Sequence, residues 1–308
     1  MPTLTPRGAF RLQAAATFGF GPTEGRVPAF DGTMRLAFPL DGGTGYAGAT
    51  LTQAEPDAPV RIELQIRNGG DERRALAQAA RIVSLDHDGE EFANVGRRDP
   101  VVAALQRAHP GQRPVLFHSP YEAAAWSIIS ARRPSAQAAN VRRAIAEEHG
   151  EPFELAGREL HAFPQPARLS ELPIGTPGLN AEKVERLHGV ARAALRGELD
   201  VGHLHALGPE RAFEHLQDLK GIGPFYAGLI VLRASGFADA MLPAKEPRVL
   251  RRAGELYGLH EPPTFEQFVR MAETWRPFRT WAMVLIRLGG DRASGAPTTR
   301  SPEPSSEG

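Results

Sequence analysis

The chain has no cysteine. That absence excludes disulfides, catalytic thiols, thiolate zinc sites and cysteine-ligated iron–sulfur clusters. Neither charge is in surplus, because 36 basic residues meet 36 acidic ones, a balance that on its face argues against a polyanionic partner. Lysine is nearly missing: Lys183, Lys220 and Lys245 are the only ones, and arginine supplies the rest of the positive charge. No run approaches the ~20 apolar residues of a membrane span. The opening MPTLTPRGAFRLQ lacks the charged-then-apolar order of a secretory leader. The expectation is a cytoplasmic chain with no membrane contact. What is present agrees: 308 residues, 42% hydrophobic and 23% charged, form an ordinary globular composition, long enough for a large core and more than one domain.

In the first third, Phe10, Leu12, Ala14, Ala16, Phe18 and Phe20 fall at every second position. So do Met34, Leu36, Phe38 and Leu40, and then Val60, Ile62, Leu64 and Ile66. Period-two alternation predicts strands with one buried face. Asn68-Gly69-Gly70 breaks the pattern, and Asp71 caps a helix running through Ala75, Leu76, Ala79 and Ile82. From about residue 96 to about 288 the pattern is helical. Ser119-Pro120-Tyr121-Glu122 is the clearest start, with Ser as cap, Pro at the first helical position and Glu placed to reach back to the cap amide. The helix that follows, 120–130, is apolar all round and predicts the buried centre of a bundle. Further helices are predicted over 135–149, 180–197, 209–218, 225–235, 246–257, 264–273 and 277–288. The Gly, Pro, Ser and Thr content of 289–308 predicts a disordered tail. The fold class is therefore mainly α, with an α+β N-terminal domain (antiparallel sheet plus helix) at 1–98 and a helical domain at 99–288.

The segment with most chemical content is Leu219-Lys220-Gly221-Ile222-Gly223-Pro224-Phe225-Tyr226-Ala227. A helix ending near Asp218 meets two glycines separated by one aliphatic residue, and a new helix begins at Pro224. Gly221 and Gly223 allow close backbone approach to a ligand, and the free amides at the helix start form an anion site suited to a phosphate. Ile222 and Ala227 would pin the hairpin to the core. From Leu219 to Arg252 six basic residues (Lys220, Arg233, Lys245, Arg248, Arg251, Arg252) face two acidic ones (Asp239, Glu246), a local excess that the neutral total conceals.

This hairpin, followed by Leu242-Pro243-Ala244-Lys245-Glu246 and by Trp275-Arg276-Pro277-Phe278-Arg279-Thr280-Trp281-Ala282, resembles the helix-hairpin-helix DNA glycosylases, specifically the 3-methyladenine DNA glycosylase II (AlkA) type. The similarity takes in Phe163-Pro164-Gln165-Pro166 and the helix at 181–199, so it covers roughly residues 100–288, and more loosely the N-terminal third. The resemblance implies a helical glycosylase bundle, double-stranded DNA as partner, action as a monomer, and base excision repair. A damaged purine is flipped out of the duplex and its glycosidic bond hydrolysed. Bond cleavage passes through an oxocarbenium-like state that a carboxylate stabilises.

Carried over residue by residue, the family's catalytic Asp falls on Glu246, which keeps the charge and adds a methylene. The hairpin residues Lys220, Gly221, Gly223 and Pro224 would clamp a DNA phosphate, with Lys245 and Arg248 as further backbone contacts. The wedge that fills the vacated stack falls on Ala131-Arg132-Arg133-Pro134, with Arg132 at the matching position and Arg133 beside it. Phe225 matches a pocket aromatic, and Trp126, Trp281 and Tyr121 are further candidates for the base pocket, with Tyr226 beside them. Relatives that also cut the strand carry a Lys where this chain has Phe225, which implies hydrolysis without lyase activity. The absent cysteines likewise separate it from relatives with an iron–sulfur cluster. No cofactor is required. A structural Na+ or K+ at the hairpin would be held by main-chain carbonyls of Gln217, Leu219 and Ile222. The ten histidines, His203 and His205 among them, show no helical pair with a carboxylate at metal spacing.

Each of these residues also has a plainer reading. Glu246 suits the N-terminus of any helix, Arg132 and Arg133 any solvated loop, and the aromatics any core. A DNA-binding module without efficient chemistry, or a helical protein whose hairpin serves a protein contact, would present the same hairpin. Salt-dependent binding to duplex DNA separates the last of these from the other two.

Overall fold

The computed structural model describes residues 2–18, 29–42, 44–242 and 247–289. In chain order the elements are β1 (Thr3–Leu4), α1 (Leu12–Ala16), β2 (Thr33–Pro39), β3 (Tyr46–Gln53), β4 (Val60–Arg67), α2 (Glu72–Ile82), α3 (Gly89–Arg98), α4 (Pro100–Ala108), α5 (Pro120–Ser130) and α6 (Ser135–His149). There follow β5 (Glu151–Leu155), β6 (Arg158–Ala162), α7 (Pro166–Leu169), α8 (Ala181–Leu195), α9 (Val201–Leu207), α10 (Pro209–Leu216), α11 (Pro224–Arg233), α12 (Pro247–Leu256), α13 (Phe265–Ala272), a 3₁₀ turn (Glu273–Trp275) and α14 (Arg279–Leu288). The mainly α class with an α+β N-terminal part is the class observed. Among the described residues no helix is long and apolar enough to cross a membrane.

The N-terminal sheet is antiparallel in the order β1-β4-β3-β2. One face carries Phe38, Leu51 and Ile62 against Phe10, Leu12 and the Ala75, Ala79 and Ile82 face of α2, which Asp71 caps by accepting the Arg74 amide at 2.8 Å. The other face is covered by the β5–β6 hairpin, whose Phe153, Leu155 and Ala162 pack on Ala37 and Tyr46. At Gly48 a Cβ would lie 2.5 Å from the Phe153 ring, so the hairpin seats only because that position has no side chain.

Three sequence expectations are corrected here. The alternation at 10–18 is not a strand: Leu12–Ala16 is helical, because Ala satisfies either period and its helix propensity decides. Phe20 lies outside the described residues. Next, β5 and β6 interrupt the stretch expected to be wholly helical, joined by a two-residue turn in which Ala156 and Gly157 both have positive φ. Last, Glu122 does not reach back to its cap. Ser119 accepts the Glu122 amide at 3.0 Å as expected, but the carboxylate turns inward to Arg142 at 2.5 Å and His118 at 3.2 Å.

The helical part has two cores. The larger surrounds α5, which is buried at every residue from Pro120 to Ile129, and draws on α6, α8, α10 and α11. The second joins Phe92 and Val95 of α3 and Val102 and Leu105 of α4 to Val249, Phe268, Trp275, Trp281 and Leu285 near the C-terminus. The structure thus places α3 with the C-terminal helices rather than with the sheet. The tail from 290 onward lies outside the described residues.

Burial alone would push the Glu122 carboxyl up, but the charges of His118 and Arg142 outweigh it and hold it at about 2. A depressed carboxylate stabilises the fold above its unfolded value of 4.5 and loses that stabilisation as pH falls toward 2. The thermal midpoint should therefore drop steeply across that acid window. Glu122→Gln, which leaves Arg142 without its carboxylate, should cost about 3 kcal/mol at neutral pH and flatten the acid dependence.

Candidate nucleic-acid interface

The hairpin is built from inside outward. Ala212, Phe213 and Leu216 bury one face of α10, and Ile222 and Ala227 are buried as expected. The two glycines between them have different tasks. Gly221 has φ +98°, and a Cβ there would lie 2.8 Å from Cδ of Arg186 and 2.9 Å from Cδ1 of Ile128. The side where its Cβ would stand faces the protein's own α8 and α5. Gly223 is extended, and nothing lies within 4 Å of where its Cβ would be. The open side is therefore at Gly223.

Gly223 caps α11 without a side chain, Pro224 follows, and the first helical bond runs from the Ala227 amide to the Gly223 carbonyl at 2.9 Å. The amides of Phe225 and Tyr226 consequently have no acceptor within the helix. They lie beside exposed Lys220 at the positive end of the helix dipole, where an anion is favoured.

The end of α5 lies against this hairpin. Ile128 reaches Gly221, and the Ser130 and Tyr226 hydroxyls are 3.4 Å apart. The next residues form the turn expected to hold a wedge. Arg132 is exposed there with φ +56°, a left-handed conformation that costs a non-glycine residue roughly 1 kcal/mol. Arg133 donates to the Gly178 carbonyl at 2.5 Å. Lys183, in the first turn of α8, donates to the carbonyls of Ile129 and Ala131 at 2.8 Å each. Burial, reinforced by the charges of Arg133 and Arg186, draws its ammonium below the usual lysine range. Sequence reading did not single out Lys183 or Arg186, since a lysine three residues after Asn180 carries no signal of what lies across the fold.

The expected pocket aromatics are not gathered in one place. Tyr121 is buried beside Phe163, its hydroxyl donating to the Pro164 carbonyl at 2.9 Å, and Trp126 is buried in the same core. Trp281 packs among Phe92, Phe278 and His87 in the second core. Only Phe225 is exposed, at 49%, with its ring edge-on to Tyr226. Beside it a cleft of about 110 Å³ opens between α11 and α12–α14, lined by Leu229, Leu232, Val249, Phe265 and Met283. Arg233 and Arg287 stand in its wall. Burial and the Arg287 charge draw the Arg233 guanidinium down to about 9, and Phe18 of the N-terminal part lies 4.8 Å beneath it. Sequence reading missed this cleft because its walls come from four separate helices.

No family model matches the chain. It is 24% identical over 201 residues to a DNA-3-methyladenine glycosylase of Bacillus subtilis (strain 168), covering 64% of this chain and 66% of that protein. Over 287 residues it is 28% identical to a probable bifunctional transcriptional activator/DNA repair enzyme AlkA of Mycobacterium tuberculosis (strain CDC 1551 / Oshkosh), covering 89% of this chain and 55% of that one. The chain thus spans less than two thirds of the length of these relatives. The 3-methyladenine DNA-glycosylase from Archaeoglobus fulgidus superposes with a TM-score of 0.75 at 21% identity, covering 96% of this chain and 100% of the other. The chain is thus similar in sequence to a DNA-3-methyladenine glycosylase and to a DNA repair enzyme AlkA, and it shares its fold with a 3-methyladenine DNA-glycosylase.

Arg248 is exposed on α12. Lys245 and Glu246 lie outside the described residues. Gln217, Leu219 and Ile222 share the hairpin turn, where the Leu219 carbonyl accepts the Ile222 amide at 2.9 Å. Among the described residues no group of His, Asp and Glu is arranged to hold a metal ion. A clamp that sequence reading missed ties the start of α14 to the segment that follows α11. Asp239 accepts from Arg279 Nε at 2.7 Å and Nη2 at 3.1 Å, and the Ala240 amide donates to Thr280 Oγ1 at 3.0 Å.

The contrast between the two glycines is measurable in the purified protein. Gly221→Ala should lower stability by about 1–3 kcal/mol, through its left-handed backbone and its contacts with Arg186 and Ile128. Gly223→Ala should leave the thermal midpoint unchanged. Equal midpoints for the two variants would contradict the division of labour.

Proposed function

We propose that the chain is a monofunctional DNA glycosylase of the 3-methyladenine type. It would act as a single chain on duplex DNA to flip out an alkylated or otherwise damaged purine and hydrolyse its N-glycosidic bond. The observation that carries this reading is the juxtaposition at one end of the bundle: open hairpin amides at Gly223, an exposed arginine turn at Arg132, and an apolar cleft behind Phe225. Phosphate capture, replacement of an extruded base and shelter for that base are the three needs of base flipping. The names of the relatives, which include a DNA-3-methyladenine glycosylase and a DNA repair enzyme, agree with it.

In this reading the hairpin amides and Lys220 hold a phosphate, with Arg248, Arg133 and Lys245 adding positive charge. Arg132 enters the gap in the stack, and Phe225 forms a wall of the base site. Glu246 is the catalytic carboxylate. Leu242 and Val249, which bracket it in sequence, both line the cleft. As the C1′–N bond breaks, its electron pair leaves with the base and positive charge develops on the sugar. A carboxylate there stabilises that charge and orients the water that adds to C1′. An N-alkylated purine is already cationic, so departure needs little help from an acid. Phe225 offers no amine for a Schiff base, hence no strand cleavage. The Gln217, Leu219 and Ile222 carbonyls would suit a monovalent cation, which would add positive charge beside the phosphate.

The test is base release from duplexes carrying 3-methyladenine, hypoxanthine or ethenoadenine, scored as alkali-labile abasic sites. The wild type should release at least one of these bases, and Glu246→Gln should lose about a hundredfold or more in rate. Duplex binding without release from any lesion would instead identify a binding module, and unchanged activity in Glu246→Gln would remove the carboxylate assignment. Binding should weaken with salt, and Lys220→Ala should reduce the salt slope by about one.

A further inference from the structure

The turn that carries Arg132 is held in an unusual way. A helix end leaves carbonyls without partners, and the common solution is a glycine in the left-handed conformation. After α5 there is no glycine, only Ala131-Arg132-Arg133-Pro134, and the left-handed position is occupied by Arg132. The carbonyls on its N-terminal side are instead closed by Lys183, which donates to Ile129 and Ala131. On its C-terminal side Arg133 is tied to the Gly178 carbonyl. Both ties lead to one short segment, 178–183, which is itself fixed where Asn180 accepts the Lys183 amide at 2.9 Å. Between these two ties Arg132 is exposed, while Ile128 and Ser130 of the same helix end touch the hairpin and the start of α11.

We propose that Lys183 is a positioning residue for base flipping: by closing the end of α5 it fixes the turn so that Arg132 is presented at a set distance from the phosphate-binding hairpin. The inference rests on the glycosylase reading above and on Arg132 as the wedge. Its consequence is a separation of steps. The hairpin captures the backbone without Lys183, whereas insertion of Arg132 requires it. Arginine at 183 keeps the charge and can donate to two carbonyls, whereas methionine keeps the length and leucine the apolar character, and neither donates.

Three measurements on the full chain decide it: affinity for a duplex containing a tetrahydrofuran abasic analogue, the fluorescence of a 2-aminopurine placed beside that analogue, and single-turnover release of methylated purines from methylated duplex DNA. For Lys183→Met the expected result is an affinity within about threefold of wild type, loss of most of the fluorescence change, and release slowed at least about tenfold, the scale a displaced group produces. Lys183→Arg should restore most of both losses. If Lys183→Met does not fold, Lys183→Leu, which likewise donates to neither carbonyl, takes its place with the same expectation. The proposal is overturned if fluorescence and release stay at wild-type levels, or if affinity falls as much as release, which would make Lys183 a plain phosphate contact. Arg132→Ala tells the two levels apart. If Arg132→Ala flips normally, the wedge assignment itself fails. If Arg132→Ala is defective while Lys183→Met is not, only the role of Lys183 is lost.

Discussion

A helix without an exposed face must be closed at both ends by the rest of the protein, and α5 is such a helix. Its side chains from Pro120 to Ile129 are all buried, so its unpaired backbone groups and any charge near its ends are removed from water and need partners. At the N-terminal end the partners come from α2 beside the sheet as well as from the bundle. Ser119 caps the helix, Glu122 is held by His118 and Arg142, and the His118 carbonyl accepts from Gln78 and Arg81 of α2. Arg81 in turn pairs with Asp41 at 2.6 Å. At the C-terminal end Lys183 closes the helix. One buried helix thus joins α2 and the sheet side at one end to the Arg132 turn and the hairpin at the other.

The second core serves a different part of the proposed site. Asp99 is its polar centre, accepting from Tyr257 at 2.6 Å, from the Trp275 indole at 2.8 Å and from the amides of Val101 and Val102. Burial opposes its ionisation, but those hydrogen bonds prevail and hold the carboxyl below its usual range. One side chain therefore starts α4 and anchors the ends of α12 and α13. Because α11 belongs to the first core and α12–α14 to the second, the cleft beside Phe225 is the seam between them. The Asp239–Arg279 clamp crosses near that seam at the point where the chain leaves α11 for the segment bearing Glu246.

Elements with a local signal were legible in the sequence. The Ser119-Pro120 start, the Asp71 cap and the Gly221-Ile222-Gly223 hairpin all follow from residue types at fixed spacing, and each is where it was expected. Elements defined by partners far along the chain were not legible. The strand β3 is rich in small residues because it is covered on both faces, so it shows no alternation. The β5–β6 hairpin is readable only once it is known that Gly48 leaves room for Phe153. Aromatic type alone did not distinguish exposed Phe225 from buried Trp126 and Trp281, since core packing and base stacking use the same side chains. The glycines were identified as special, but Gly221 serves internal packing, a distinction that depends on Arg186 and Ile128 from two other helices.

The neutral total charge also has a structural explanation. Acidic residues are engaged by arginines away from the hairpin: Asp31 by Arg35 and Arg158, Asp41 by Arg81, Asp88 by Arg7, Glu122 by Arg142, and Asp239 by Arg279. Paired in this way they cancel locally and project little field. At the hairpin end Arg132, Arg133, Arg186 and Lys220 converge, with Arg186 partly offset by Glu182. Screening confines electrostatic influence to roughly 8–10 Å at physiological salt. A phosphate arriving at Gly223 therefore responds to that cluster and not to the sum over the chain. Net charge is a weak guide for this protein because these carboxylates are paired with arginines away from the hairpin, while a local group of cations gathers where α5, α8 and the hairpin meet.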